Sequence, residues 1–200
     1  MAEDDDDPGG PLALREVARP PDAYEAEYMA GEGTVLYRDK SRAPWPLHAI
    51  MALAGLGIVI PALMAPGGIL GAALGLPMLG LVWMLFSVLR VTVSEGHINV
   101  QYGLFGPKIP IAAVESAEAV QYDWTRFGGW GIRMNRDGEW IYNMPGDGGR
   151  AVKVVWRDGK GKRRVTYIGS AQSENLAEQI GVAQAALPPG ARQASLPSGD

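Results

Sequence analysis

Between Arg42 and Arg90 lie 47 residues without a single Asp, Glu, Lys or Arg. A bilayer core about 30 Å thick takes roughly 20 apolar residues per helix, so the run is too long for one crossing and suits two. The break falls at Ala65-Pro66-Gly67-Gly68, where proline supplies no amide donor and glycine accepts positive φ. The pattern predicts helices over about 46–65 and 69–89, joined by a tight turn near the far membrane surface. Burying the same hairpin inside a soluble body would need more surrounding mass than 200 residues supply. Pro61 and Pro77 fall within the helices, which membrane helices accept when neighbours re-satisfy the freed carbonyls.

The flanks set an orientation. Arg38, Lys40 and Arg42 precede the first helix, Arg90 follows the second, and the turn carries no charge. Positive flanks stay on the cytoplasmic side, which places both termini there. Trp45 and Trp83 fit an aromatic belt at that surface. An apolar run that begins this late, behind an acidic leader, does not read as a cleaved signal peptide. Gly67, Gly71 and Gly75 recur every fourth residue, a stripe that permits close helix packing, either within the hairpin or between copies.

The 33 residues at the start hold ten acids against Arg15 and Arg19, a balance of −8 that leaves +4 for the rest of a chain of net charge −4. Together with Pro and Gly, this composition has little to bury and predicts a disordered head over 1–33. A solvated tail is its plainest role, and a mask over basic surface its sharper alternative. Residues 188–200 have the same loose character. Over 34–45, Thr34-Val35-Leu36-Tyr37 suits a short strand or a juxtamembrane turn of helix.

From 91 to 187 the pattern is short β-type runs between turns. Val91 and Val93 alternate with Ile98, Val100 and Tyr102 on the far side of Ser94-Glu95-Gly96-His97, which predicts a hairpin. "KIPIAAVESAEAVQYDW" reads as strand, turn, strand; "EWIYNM", "RAVKVVW" and "RRVTYIG" follow. Six or seven antiparallel strands at this spacing suit a small barrel or bent sheet. A closing helix follows, with Ser173 as N-cap and Leu176, Ile180, Ala183 and Leu187 on one face.

The segments "LRVTVSEGHINVQYG", "KIPIAAV", "RFGGWGIR", "WIYN" and "IGSAQSENLAEQI", behind two apolar helices, resemble a group of bacterial membrane proteins of unknown function. Those proteins carry a cytoplasmic PH-like domain. The resemblance spans about residues 35–187, and "GGWGIR" followed by "WIYN" is its most specific part. It implies an α+β membrane protein, a transmembrane hairpin followed by a PH-like bent sheet closed by one helix. It brings no established reaction or ligand. The segment "MPGDGGRAVKVV" is longer and richer in glycine than the group's short turn at this point.

Little in the chain points to catalysis. The two histidines, His48 and His97, have no metal-ligand spacing, and there is no cysteine. No G-x-S-x-G occurs, and "FGGWG" and "GDGG" lack the Lys-Ser/Thr ending of a phosphate loop. The chain reads as a non-enzymatic interaction module without a cofactor, presenting its domain to a protein partner or lipid headgroups. An accessory subunit docking through its hairpin is the alternative, and nucleic acid is not an expected partner.

Two clusters are candidates for contact. Arg157, Lys160, Lys162, Arg163 and Arg164 surround one hairpin and suit anionic headgroups, or else a solvated turn. Trp124, Arg126, Trp130, Arg133 and Trp140 suit a partner groove, or else a sharp bend whose tryptophan covers the sheet's end.

Overall fold

A computed structural model describes residues 34–187. The acidic head and the C-terminal tail, both expected above to be unstructured, lie outside the described residues.

The chain enters as strand β1 (Val35–Arg42) and turns into helix α1 (Trp45–Met64) through Pro44 and Pro46. Gly67, in the left-handed region at φ 78°, reverses the chain into helix α2 (Gly68–Phe86). The two helices are apolar along their whole length, with a mean hydropathy of 2.1 each, and both are long enough to cross a membrane. Only Ala62 of α1 and no residue of α2 is buried in the protein. Side chains of this kind face outward on every side, so neither helix is the core helix of a soluble domain.

Strand β2 (Val88–Ser94) then returns antiparallel beside β1, with Arg42 opposite Val88 and Asp39 opposite Val91. The hairpin is thus an insertion between two neighbouring strands. Its neck is closed by the Ala43 amide donating to the Ser87 carbonyl at 2.8 Å. The segment expected to be juxtamembrane is therefore part of the sheet. Of its core-facing positions Tyr37, Asp39 and Ser41 only the first is apolar, so the alternation that marks a strand is missing.

Strands β3 (His97–Tyr102) and β4 (Lys108–Pro110) complete a four-stranded sheet in the order β1-β2-β3-β4. After one 3-10 turn, β5 (Val114–Gln121) opens a second sheet. Its other strands are β6 (Gly131–Met134), β7 (Trp140–Asn143), β8 (Arg150–Arg157) and β9 (Arg163–Gly169), in the order β5-β8-β9-β7-β6. This corrects the expected six or seven antiparallel strands after the hairpin: among the described residues there are eight, β2 to β9, with β1 before the hairpin, and β7 runs parallel to β9. The loop between β7 and β8 makes no hairpin, because β9 occupies the place between them.

Helix α3 (Ser173–Ala186) closes the body, with Leu176, Ile180 and Ala183 fully buried. Ser173 is not its N-cap: it is the first helical residue, buried, and the cap position falls on Gln172. The hydroxyl that organises this entry belongs to Ser170, which accepts from the Gln172 amide and donates to Asp39 of β1 at 2.7 Å. One core, including Val91, Ile98, Val100, Val152, Val154 and Ile168, lies between the two sheets beneath α3. Two bent sheets closed by one helix, behind an apolar hairpin, are compatible with the architecture expected.

Candidate functional site

The segment Trp124–Arg133 turns sharply through three glycines at positive φ. Asp123 caps a single 3-10 turn, Trp124–Phe127, by accepting from the Thr125 amide at 2.9 Å. Phe127 at its end is buried edge-on against Tyr122 and Tyr167. Gly128, Gly129 and Gly131 then adopt φ of 76°, 122° and 103°, in the region that side chains rarely enter. The backbone doubles back, and Trp130 stacks on Trp124 with centroids 4.9 Å apart and planes 22° apart.

A buried polar network behind the loop holds this bend. The Gly131 amide donates to Oδ1 of Asn143 at 2.8 Å, and Nδ2 of Asn143 donates to the Tyr122 hydroxyl at 2.9 Å. That hydroxyl donates in turn to Oδ2 of Asp147 at 2.5 Å. Oδ1 of Asp147 accepts from the Gly149 amide at 2.9 Å, which fixes the loop between β7 and β8. The segments "GGWGIR" and "WIYN" are thus bonded to each other, through Gly131 and Asn143.

Burial pushes the Asp147 carboxyl above the usual aspartate range, against hydrogen bonds from Tyr122 and Gly149 that favour its charge. Burial, with the Asp147 carboxylate beside it, also raises Tyr122 strongly. The folded state therefore holds the Asp147 proton more tightly than the unfolded chain does. That stability is fully present below the unfolded value of 3.8 and is lost as pH rises through the folded one. Urea titrations across this window should show the loss in the natural protein and its absence in Asp147→Asn.

The paired tryptophans form one wall of a groove of about 630 Å³. Trp124, Trp130, Ile132 and Arg133 line it from the second sheet and Tyr102 from the first. Leu47, Met51, Val82, Trp83 and Phe86 line it from the base of the apolar hairpin. Arg133 is the one charged residue in the lining among the described residues, and its Nε donates to the Trp130 carbonyl at 3.2 Å. Trp124 and Trp130 each remain 43% exposed.

A smaller groove continues past Phe86 and Ile132 to Phe105. The turn carrying Phe105 docks on α2: a Cβ on Gly103 would collide with the Leu85 carbonyl oxygen, and Phe105 stacks on Phe86. Trp83 faces inward against His48 in an edge contact at 4.6 Å, whereas Trp45 is 78% exposed. Burial pushes the Tyr102 hydroxyl up to about 12, so it stays neutral in the groove wall.

The candidate aromatic set therefore divides. Trp124, Trp130 and Arg133 meet in the groove. Trp140 stacks on Tyr142 beside a separate depression that includes Trp156, and Arg126 is exposed on the 3-10 turn outside the lining. The basic hairpin is more neutral than its sequence suggests. Glu115 pairs with Arg157 at 2.7 Å and with Arg163 at 3.4 Å, and Asp158 pairs with Arg164 at 2.9 Å. Lys160 and Lys162 are exposed, and their backbone amides are held by Asp158. This hairpin lies at the far end of β8 from Arg150 and the groove loop, roughly 23 Å along the strand.

The glycine stripe divides too. Gly67 forms the turn, a Cβ on Gly75 would press on Ile58 of α1 at 3.3 Å, and one on Gly71 would meet nothing within 4 Å.

Sequence reasoning missed Asn143, Tyr122 and Asp147 as the loop's support. Asn143 gave a signal: asparagine is unfavourable within a strand, and ending "WIYN" it needed a polar partner. Asp147 serves the turn as its Gly-rich setting suggests, but its second oxygen faces the network. No group of three or more His, Asp or Glu side chains suited to a metal occurs among the described residues. No family model, curated protein or solved structure matches the chain. The groove's meaning therefore rests on its own geometry.

Proposed function

We propose that the protein is a membrane-anchored interaction module. Its hairpin spans a bacterial inner membrane, both termini are cytoplasmic, and its PH-like domain is held on the inner leaflet to bind lipid. No catalytic step is assigned to it. The observation that carries this reading is the insertion of the hairpin between β1 and β2, with the Ala43–Ser87 hydrogen bond at its neck. An anchor joined through two paired strands leaves no linker, so the domain lies against the bilayer surface.

Energetics support the membrane setting. Sixteen large apolar side chains between Trp45 and Phe86 are exposed. Burying each one is worth about 1.5–3 kcal/mol, so together they outweigh the roughly 5–15 kcal/mol that stabilises a whole domain. Water is the wrong solvent for this hairpin.

The groove then lies where acyl chains meet water. Leu47, Met51, Val82 and Trp83 offer an apolar wall at bilayer depth, and Arg133 offers one cation above it. This suits a phospholipid with an anionic head: chain against the hairpin, phosphate on the guanidinium. Its volume is within the roughly 300–1,000 Å³ of small-molecule sites. The paired, remote hairpin at 157–164 fits this role less well.

The absence of cysteine makes topology simple to test. A maleimide that cannot cross membranes should label Gly159→Cys only in inverted vesicles and Pro66→Cys only in right-side-out ones. Labelling of both from one side would overturn the two-span arrangement.

The second reading, an accessory subunit docking through its hairpin, draws on the open space at Gly71. In that case Gly71→Leu breaks the assembly on native gels and leaves the hairpin folded. Gly75→Leu, pressed against Ile58, loosens the hairpin itself in either reading. Unchanged migration of Gly71→Leu would count against the docking role.

A further inference from the structure

Between β3 and β4 the chain reverses in two residues. The Tyr102 amide donates to the Phe105 carbonyl at 2.6 Å, and the Phe105 amide to the Tyr102 carbonyl at 3.0 Å. Gly103, at φ 61°, takes the first central place and Leu104 the second, the order in which glycine leads a tight hairpin turn. Residues 103–107 carry no charge, and the tip of the turn is apolar: Leu104 is 71% exposed and Phe105 50%. One exposed leucine is ordinary, but turn tips favour small polar residues, and here two large apolar side chains stand together.

Helix α2 fixes where this tip is held. The Gly103 backbone lies so close to the Leu85 carbonyl that a Cβ would collide with it. Phe105 stacks on Phe86 with centroids 6.4 Å apart and planes 16° apart, and Tyr102 meets the same ring at 5.7 Å. Leu85 and Phe86 are the last two residues of α2. At 1.5 Å per residue the helix's 19 residues rise roughly 28 Å, against a hydrocarbon core of about 30 Å. A spanning helix with no length to spare keeps its final turn in the hydrocarbon, and whatever packs on that turn shares its depth.

We infer that the turn 103–107 is a wedge set into the acyl chains of the leaflet on which the domain lies. The wedge rests on the two-span reading above and adds a second attachment to it, apart from the paired strands at the neck. Its occupant is the bilayer's own lipid, because the tip is fixed beside a helix end that lipid already surrounds. Phe86 and Ile132 line both the large groove and its continuation to Phe105, so the wedge borders the groove. Acyl chains then reach the groove sideways from the leaflet without crossing water.

With no cysteine in the chain, a nitroxide label can be placed at Leu104→Cys in the whole protein, in vesicles of phosphatidylethanolamine and phosphatidylglycerol. Leu104 is exposed enough for the exchange to spare the packing of the turn. Oxygen concentrates among acyl chains while a polar nickel chelate stays in water, so the ratio of their relaxing effects on the label reads its depth. The ratio at Leu104→Cys should exceed that at Gly159→Cys, exposed on the remote hairpin, by at least about threefold. Leu53→Cys, exposed on α1, reports on the span itself. A high ratio at Leu53→Cys with Leu104→Cys matching Gly159→Cys would overturn the wedge and leave the spans standing. Low ratios at all three would remove the spans and the wedge with them. Protection of Leu104→Cys from both reagents, with its spectrum broadened by a neighbouring label, would put a second copy on the tip and equally overturn the wedge.

Discussion

Replacing Asn143 with alanine should destabilise the domain by about 2–4 kcal/mol and release the tryptophan loop from the groove. Asn143 is fully buried and serves two partners at once, the Gly131 amide and the Tyr122 hydroxyl. Alanine removes both bonds but none of the desolvation that those partners have already undergone. Gly131 is the residue where the loop re-enters the sheet as β6, so losing its bond frees the φ 103° bend that places Trp130. Urea denaturation should show the lost stability, and near-ultraviolet circular dichroism the lost Trp124–Trp130 stack. Asn143→Asp separates the donor role from the acceptor role. Its carboxylate still accepts from Gly131 but gives nothing to Tyr122, and it adds negative charge near Asp147. Its deficit should shrink on acidification, when a protonated carboxyl can again donate. A stability equal to wild type in Asn143→Ala would mean that the network does not hold the loop.

Arg133→Ala should cost about tenfold in the retention of phosphatidylglycerol over phosphatidylethanolamine, measured by native mass spectrometry after extraction from an equal mixture. Arg133 is the only cation in the groove's lining among the described residues, so preference for an anionic head has no second source there. Trp130→Ala should reduce retention of both lipids, because it removes an apolar wall and not a charge. Arg136, exposed in the turn after β6 and outside the lining, provides the control. Arg136→Ala should retain lipid as wild type does. Equal retention by wild type and Arg133→Ala would remove the lipid assignment while leaving the two-span topology to stand on its own test.

The hairpin was plain in the sequence because 47 uncharged residues broken by Pro-Gly-Gly leave room for little but two long apolar helices, and those are present. The strands β2, β3, β8 and β9 were legible because their apolar residues alternate or run together. Strand β1 was hard to see because Asp39 and Ser41 take core-side positions that are polar, Asp39 being satisfied by Ser170 some 131 residues away. The parallel pairing of β7 with β9 was out of reach of local patterns, since β9 inserts between strands adjacent in sequence. At the candidate site, the glycines announced a sharp bend around Trp130, and the bend is there. The grouping was not legible. Trp124 and Arg133 join Trp130 only because the loop folds onto the hairpin's base, while Trp140 follows its own strand to another depression. The ion pairing of the basic hairpin was hidden because Glu115 comes from β5, far away in sequence.

Trp130 in a bilayer tests the central claim most directly. The emission difference between wild type and Trp130→Phe isolates this one indole in a protein with six tryptophans. With the groove at the leaflet, that difference should be quenched by phospholipids brominated near the top of their acyl chains and protected from aqueous iodide. Strong iodide quenching with no effect of the brominated lipids would place Trp130 in open water and contradict the account.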